Sequence, residues 1–290
     1  MPTPPPRDVF YWKPLPPEGR KAVVDAALAT HPGLKTPPEA QDFLSRITVP
    51  ASLRWAFLTN DKCATSSTLR CLFQLEFGVP LTVALDTSDD INPDSVVHRL
   101  HQASVLRKLI ELKRGVEILP AALRLTTVRH PATRALSAFF YLCATQDRKH
   151  AWMADDRLRM NAIVGFDWDT DCRTLPGHVK FLRYIDHSLQ HNQQLRVNPH
   201  WRPQVTNIRP EVFRPDLVGR TEDMAPFFHQ LADRLGQPLP AGWVEPRANS
   251  QPPRDVRAFD SPEVRSLIAR IYQADFEQFS YDPDRLPDAA

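Results

Sequence analysis

Two short apolar segments, each followed by a polar loop and a helical pattern, constrain the fold of this chain more than any other feature. The first is Arg54–Thr59, followed by NDKCA and an apolar stripe of helical period from about Ser66 to Phe77. The second is Leu123–Val128, followed by RHP and a helix whose first position suits Pro131. Short buried strands of this kind are typical of parallel sheets. The pattern predicts an α/β fold with a central parallel sheet flanked by helices, and ligands at the carboxyl ends of the strands.

The rest of the chain extends this unit on both sides. Residues 1–50 are expected to form a Pro-rich arm and two short helices, and residues 51–290 the main domain. An acidic loop at 86–94 precedes a pattern that predicts one long helix from Ser95 to about Arg114. Downstream, the sequence predicts a short strand at Asp216–Gly219 and helices near His178–His191, Glu222–Leu235 and Pro262–Phe279.

The charge and composition exclude several classes of function. The 36 basic side chains nearly balance the 34 acidic ones, so no overall field attracts nucleic acid or an anionic membrane. Glycine is scarce, with nine residues, and neither GxGxxG nor GxxxxGK[ST] occurs. The four cysteines show no paired spacing, which favours free thiols in a reducing compartment, and no apolar run reaches membrane-span length. We therefore expect a cytoplasmic protein in which any anion site is built locally.

The first candidate anion site follows the first strand. Lys62 supplies a cation suited to phosphate or sulfate, and hydroxyl residues follow it at the start of a helix, where backbone N–H groups favour an anion. The assigned residues are Lys62, Cys63, Ala64, Thr65, Ser66 and Ser67. The alternative is a simple N-cap, which Ser and Thr often form before a helix.

The second candidate site follows the second strand. Arg129 stands at the carboxyl end of that strand and can bind a phosphate through its planar guanidinium, and Ser137 follows eight residues later inside an apolar helix. Taken alone, they could be a surface arginine and a serine bonded back to its own helix. Taken together, two anion sites at two strand ends predict one ligand with phosphates at both ends.

These two segments resemble the donor-binding motifs of sulfotransferases that use 3′-phosphoadenosine 5′-phosphosulfate (PAPS). NDKCATSSTLR is similar to the loop that binds the 5′-phosphosulfate, with Lys62 and the Ser/Thr cluster in matching places. VRHPATRALSAFF is similar to the segment that binds the 3′-phosphate through Arg129 and Ser137. The resemblance implies a P-loop-like sulfotransferase fold, PAPS as the donor, and no requirement for a metal.

Four downstream blocks extend the likeness to carbohydrate sulfotransferases of the chondroitin/HNK-1 type. They are HVKFLRYI, NPHWRPQ, LVGRTEDM and YQADFEQFSYDPD, and the resemblance runs from about Arg54 to Tyr281. It implies an acceptor hydroxyl on a carbohydrate, either a glycan or a glycolipid. One departure is His130, which occupies the position after Arg129 where this family commonly has an acid. Another is that the chain shows neither the membrane anchor nor the disulfides of animal members, so we expect a soluble relative of the bacterial type.

The resemblance also implies catalytic roles. We assign Lys62 to the bridging oxygen of the donor, where charge builds as the bond to sulfur breaks. His200, in NPHWRPQ, is the first candidate for the general base, with loop orientation or a nucleotide contact as the alternative. His98 is the second candidate, together with His101 on the same helical face.

Trp201 could stack on the adenine or on a sugar, or it could pack in the core. His187 and His191 have the i, i+4 spacing of metal ligands, but without an evident third ligand we interpret them as a solvated helix face.

Two other functions are compatible with a pocket of this kind. A P-loop kinase-like phosphotransferase would need a glycine-rich loop and an acidic Mg²⁺ ligand at a strand end, and the sequence shows neither. A non-catalytic nucleotide-binding or scaffold protein would keep the donor pocket without a base.

Overall fold

A computed structural model describes residues 13–85, 95–191, 194–239 and 255–287. The acidic loop 86–94 and the first twelve residues of the Pro-rich arm lie outside the described residues. The described chain forms one mixed sheet surrounded by helices, and the predicted α/β fold is confirmed.

Five strands form the sheet in the order β3-β1-β2-β4-β5. β2, β4 and β5 are parallel, and β1 is antiparallel to both β2 and β3. The strands are β1 (Ile47–Val49), β2 (Trp55–Leu58), β3 (Arg107–Lys108), β4 (Leu123–Val128) and β5 (Leu217–Arg220). The parallel centre is the part that the two strand–loop–helix units predicted, and the antiparallel strands extend it on one side.

Thirteen α-helices lie among the described residues, and the segment after each parallel strand leads into one of them. They are α1 (Pro17–Thr30), α2 (Pro37–Arg46), α3 (Thr65–Phe77), α4 (Val96–Gln102), α5 (Gly115–Ile118), α6 (Pro131–Asp147), α7 (Ala154–Val164), α8 (Leu175–His191), α9 (Gln204–Ile208), α10 (Pro210–Phe213), α11 (Ala225–Leu235), α12 (Pro262–Ile271) and α13 (Gln273–Phe279).

The central strands are buried on both faces, as expected inside a parallel sheet, whereas the edge strand β5 exposes Val218 and Arg220. In β2, Trp55 and Phe57 join a core cluster with α3, α4 and α11, whereas Ala56 and Leu58 join a second cluster with α1 and α2. This alternation follows from the period of two along a strand. A third cluster lies between α6, α8 and α12.

The prediction of one long helix from Ser95 to Arg114 is wrong. α4 ends at Gln102, and the chain then reverses through Ser104, whose φ is +58°. β3 follows and pairs with β1. A continuous helix and a helix followed by a turn and a short strand would bury similar sets of apolar residues. Pairing with β1 favours the strand in this chain.

The downstream boundaries also moved. The predicted helix Pro262–Phe279 is two helices, α12 and α13, which meet at Tyr272 with φ −114° and ψ 21°. α11 begins three residues later than the predicted Glu222, because the preceding residues form β5 and the turn that follows it.

The segment assigned to the N-terminal region contributes β1 to the sheet. α1 and α2 pack in the same core cluster as Leu58 and Val128. A domain division at residue 50 stays a prediction, and the two sides of that position share a sheet and a core among the described residues.

Candidate functional site

The parallel centre of the sheet brings the two candidate anion segments together. β2 and β4 are hydrogen-bonded neighbours, with Leu58 opposite Thr126. The loop after β2 and the loop after β4 therefore leave the same edge of the sheet side by side. This is the edge at which ligands bind in open α/β sheets.

The first loop, residues 60–64, turns through two left-handed residues. Lys62 has φ +66° and Ala64 has φ +54°. Non-glycine residues in this conformation cost about 1–3 kcal/mol each and cluster at functional sites. Alternation of right- and left-handed residues also directs successive backbone N–H groups toward one point, which forms a concave anion site. The loop backbone therefore has a shape suited to a phosphate oxygen.

The start of α3 is not an ordinary capped helix. The N-cap position is Ala64, which provides no side-chain cap. The Thr65 hydroxyl donates to the carbonyl of Asn60 (3.1 Å), and the Thr68 hydroxyl donates to the carbonyl of Ala64 (3.0 Å). The N–H groups of the first turn have no carbonyl within the helix to accept them, so they suit an anion. Among the residues described, the N-cap alternative is therefore the poorer explanation of this Ser/Thr cluster.

Cys63 has an interior role. Its thiol is fully buried beside the amide oxygen of Gln204 at 3.3 Å, and burial raises its pKa to about 12. The backbone N–H of Cys63 donates to the carbonyl of Asn60 at 3.3 Å. These contacts make Cys63 part of the support of the loop, and its predicted place among the donor-binding residues stays a prediction.

The second loop contacts the first directly. The guanidinium of Arg129 donates to the carbonyl of Lys62 through Nη1 (3.3 Å) and to the hydroxyl of Thr133 through Nε (3.2 Å). Burial lowers the pKa of Arg129, against an opposing effect of the Glu222 carboxylate. Arg129 is thus a half-buried cation at the junction of the two loops, and not a surface arginine.

Ser137 lies two turns into α6 and is 8 % exposed. Within the described part of the chain its hydroxyl makes no hydrogen bond, so the alternative of a serine bonded back to its own helix is not what the structure shows. A nearly buried hydroxyl in an apolar helix without a protein partner is suited to a polar group of a ligand.

Gln204 connects the two loops from behind. It is fully buried, and its Oε1 accepts from the Asn60 amide (3.0 Å) and from the backbone N–H of Arg129 (3.0 Å). Its Nε2 donates to the carbonyl of Arg129 at 2.8 Å. The backbone N–H of Gln204 donates in turn to the buried carboxylate of Asp275 on α13 (2.8 Å). One amide therefore fixes the positions of both loops relative to the C-terminal helix.

Arg134 forms a second internal link. It is 1 % exposed and donates to three backbone carbonyls, those of Asp61 (3.0 Å), Pro199 (2.8 Å) and Arg202 (2.8 Å). These carbonyls belong to the Lys62 loop and to the NPHWRPQ block. The arginine in the second motif thus holds that block against the first loop.

A network of ion pairs anchors the same loop to α2. Arg46 contacts Asp61 at 2.9 Å and Asp42 at 3.3 Å, and Asp42 also accepts from Arg202 at 2.5 Å. Burial tends to raise the pKa of Asp61, but the charge that His200 carries when it is protonated in acid, together with the charge of Arg46, outweighs it and holds the pKa well below its usual range. Asp61 is therefore ionised at neutral pH, next to the cation of Lys62 in sequence.

Hydrogen bonds fix the orientation of the His200 imidazole at this site. Asp156 accepts from the amide nitrogen of Asn198 (2.9 Å), which directs the amide oxygen of Asn198 toward Nδ1 of His200 (2.9 Å). An amide oxygen can only accept, so Nδ1 carries the proton and Nε2 has the lone pair. Burial lowers the pKa of His200 to about 4, against the opposing effect of Asp61. The imidazole is therefore neutral and has one nitrogen able to take a proton.

The ring of Tyr141 joins His200 to Lys62. The Lys62 ammonium lies 4.0 Å from the Tyr141 ring centroid, and the imidazole of His200 stacks on the same ring with centroids 5.5 Å apart and planes inclined by 10°. The sequence-predicted cation and the first candidate base thus share one neighbour. Sequence reasoning missed Tyr141, although its place one helical turn after Ser137 put it on the same face of α6.

Three other candidates lie elsewhere. Trp201 is 1 % exposed and packs edge-on against Phe181 in the core, which favours the packing alternative for its ring; a contact with adenine or a sugar stays a prediction. His98 is exposed on α4, and burial together with the charge of Lys108 lowers the pKa of its neighbour His101. A catalytic role for His98 stays a prediction.

The His187 and His191 rings stack on each other, with centroids 4.2 Å apart. Within the described ranges, no three potential ligands among His, Cys, Asp and Glu come together as a metal site. The same ranges contain no helix with both the length and the apolar character needed to cross a bilayer.

The carboxylate of Glu222 lies against the second loop and the C-terminal segment. The backbone N–H of His130 donates to one oxygen of Glu222 (2.7 Å), and the hydroxyl of Tyr281 donates to the other (3.0 Å). The His130 ring caps α6 by accepting from the N–H of Ala132 (3.2 Å). Sequence reasoning singled out the LVGRTEDM block but not its glutamate, because the meeting of that block with the second loop is a tertiary contact.

A family model described as "Sulfotransferase family" matches residues 57–282, more than half of the chain, including both anion loops and the NPHWRPQ block. No curated protein and no solved structure gives a significant match to this chain.

Proposed function

Because the chain belongs to the sulfotransferase family, we propose that it transfers a sulfuryl group from PAPS to a hydroxyl group of a carbohydrate, either a glycan or a glycolipid. The observation that supports this most directly is the contact between the two anion loops, in which Arg129 donates to the carbonyl of Lys62. Two sites that touch can hold a single ligand with phosphates at both ends.

The described residues fit such a donor. The left-handed turn at Lys62 and Ala64 and the uncapped start of α3 suit the 5′-phosphate, where Ser66 and Ser67 add hydroxyls. The guanidinium of Arg129 suits the 3′-phosphate, as does the hydroxyl of Ser137, which has no hydrogen-bond partner among the described residues. When bound, the donor supplies the sulfuryl group that is transferred.

Lys62 and His200 divide the catalytic work in this proposal. The ammonium of Lys62 neutralises charge on the phosphate oxygen from which sulfur departs, an effect usually worth about 2.7–4 kcal/mol in the barrier. His200 takes the proton of the attacking hydroxyl on Nε2, since the chain from Asp156 through Asn198 fixes the proton on Nδ1. A positioned base of this kind contributes about 10²–10⁴-fold in rate.

The carbohydrate acceptor rests on the likeness of the four downstream blocks to glycan sulfotransferases. In the structure, NPHWRPQ contributes both the candidate base and the bridging residue Gln204. The block therefore serves transfer and loop position together, which is consistent with its appearance as a unit in the sequence.

The first test is calorimetric titration with 3′,5′-adenosine bisphosphate, which has both phosphates and no sulfate. We expect binding with a Kd below ~100 μM, equivalent to about 5.5 kcal/mol. The absence of binding at that concentration would contradict the donor site.

The second test is transfer. Incubation with PAPS and a glycan extract, followed by mass spectrometry, should show the mass of an added sulfate. The Lys62→Ala variant should lose about 10²–10³-fold in kcat, whereas Lys21→Ala, an exposed lysine on α1, should keep the wild-type rate. Donor binding without transfer to any acceptor would favour the scaffold alternative, and transfer from MgATP would favour the kinase-like one.

A further inference from the structure

Trp152 is an exposed aromatic side chain that the reaction proposed above does not use. The residue is 43 % exposed, whereas Tyr141 and His200, the two aromatic residues that it touches, are at least partly buried. It contacts Tyr141 edge-on with centroids 5.7 Å apart, and His200 edge-on at 5.4 Å. Trp152 is therefore the outer member of a three-ring cluster formed with Tyr141 and His200.

The segment that carries Trp152 is held in place. It begins and ends with left-handed residues, Lys149 at φ +51° and Met153 at φ +64°. The guanidinium of Arg157 donates to the carbonyl of His150 (2.7 Å), and the backbone N–H of Trp152 donates to Nδ1 of His150 (3.0 Å). The Met153 side chain is buried in the core below. The indole is thus presented from a fixed turn rather than left at the tip of an open loop.

The cluster places this indole beside the reacting groups. Tyr141 has the ammonium of Lys62 at 4.0 Å from its ring centroid, and His200 is the proposed base. A single exposed tryptophan is common on protein surfaces and by itself needs no explanation. Trp152, however, touches both the proposed base, His200, and the ring of Tyr141, on which the Lys62 ammonium lies. In the proposed reaction it is therefore next to the attacking hydroxyl.

We propose that Trp152 is the platform on which a sugar ring of the acceptor stacks, and that it determines which hydroxyl reaches His200. This inference rests on the proposed function. A pyranose presents an apolar face of C–H groups and an edge of hydroxyls, and an indole binds the face while leaving the edge free. The partly exposed ring next to a base with one open nitrogen matches that need.

The test uses the full chain labelled with 5-fluorotryptophan and saturated with 3′,5′-adenosine bisphosphate. The chain has six tryptophans, and the Trp152→Phe variant identifies the ¹⁹F signal of Trp152 by its loss. Chondroitin tetrasaccharide and p-nitrophenyl β-D-galactopyranoside serve as sugar probes, and p-nitrophenol is the aromatic probe without a sugar. We expect a sugar probe to shift the Trp152 signal and to leave that of buried Trp55 in place.

The kinetic counterpart is the Trp152→Ala variant. It should raise KM for the sugar acceptor by roughly tenfold and leave the Kd for 3′,5′-adenosine bisphosphate within about twofold of wild type. Trp152→Phe should recover part of the loss. Leu158→Ala is the matched control, because Leu158 is a more exposed apolar residue on the next helix, α7.

The outcomes separate this inference from the function on which it rests. A sugar-induced shift without sulfate transfer would leave the platform standing and overturn the proposed reaction. Transfer with an unchanged KM in Trp152→Ala and no shift would overturn the platform alone. A response to p-nitrophenol but not to either sugar would overturn the sugar assignment, and no response together with no transfer would overturn both proposals.

Discussion

Replacing Gln204 by methionine tests whether one buried amide sets the positions of both anion loops. Methionine keeps the length and approximate volume of glutamine but removes its donor and its strong acceptor. The backbone N–H and C=O of Arg129 both lose their partner, at 3.0 Å and 2.8 Å respectively. The Asn60 amide keeps its second bond, to the carbonyl of Thr127 at 3.1 Å.

The size of the effect follows from the groups left unpaired. Each buried polar group without a partner costs about 1–3 kcal/mol, so the two backbone groups of Arg129 give a loss of about 2–6 kcal/mol. That is a large part of the ~5–15 kcal/mol by which a folded protein is stable. At ~2–4 °C per kcal/mol for a chain of this order of size, Tm should fall by roughly 4–24 °C.

The assay is urea unfolding followed by circular dichroism, together with calorimetry of 3′,5′-adenosine bisphosphate. We expect the lower stability to be accompanied by about a tenfold weaker Kd, since Arg129 loses its fixed orientation. Gln278→Met is the matched control, because Gln278 is exposed on α13, the helix of Asp275. A loss of less than 1 kcal/mol in Gln204→Met with unchanged Kd would refute the bridging role.

Three further predictions concern His200, Arg134 and His178. In a pH–rate profile, the wild-type rate should stay level from about pH 8 to pH 5 and fall near pH 4, as the His200 ring takes up a proton. His200→Gln should lower kcat by ~10²–10⁴-fold and remove the fall near pH 4. Arg134→Lys should lower the free energy of unfolding in urea by about 2 kcal/mol or more, because an ammonium group cannot replace the planar guanidinium that donates to three carbonyls. As the control, Arg183→Lys at an exposed ion pair should lower it by less than about 1 kcal/mol. Burial lowers the pKa of His178 to about 4, so between about pH 6.5 and pH 4 the unfolded chain binds a proton that the folded chain excludes. The free energy of unfolding should therefore fall by up to ~3 kcal/mol over this range. His178→Phe should show a smaller fall, and a fall equal to that of the wild type would contradict a role for His178 in it.

Local patterns carried the central part of the fold. The segments before Lys62 and before Arg129 are buried strands, and the polar residues that follow each one start a helix, as predicted. Strand burial and helical period depend on neighbours within one or two turns of the chain, so they can be read along it. The structure of the region after Gln102 could not be predicted in this way, because β3 forms only by pairing with β1. In that pair Arg107 lies opposite Val49, which is 58 residues earlier in the chain.

The site divides in the same way. The sequence by itself predicted Lys62, Ser66, Arg129 and Ser137 as donor-binding residues, because a loop and a helix start are local structures; that role stays a prediction. Only the tertiary structure decided how these residues are held and what stands beside them. Gln204 comes to the loops from 75 residues after Arg129, and Glu222 accepts from the backbone N–H of His130 from 92 residues away. Hydrogen bonds between distant segments depend on how the chain packs, and no local pattern of side chains encodes that distance.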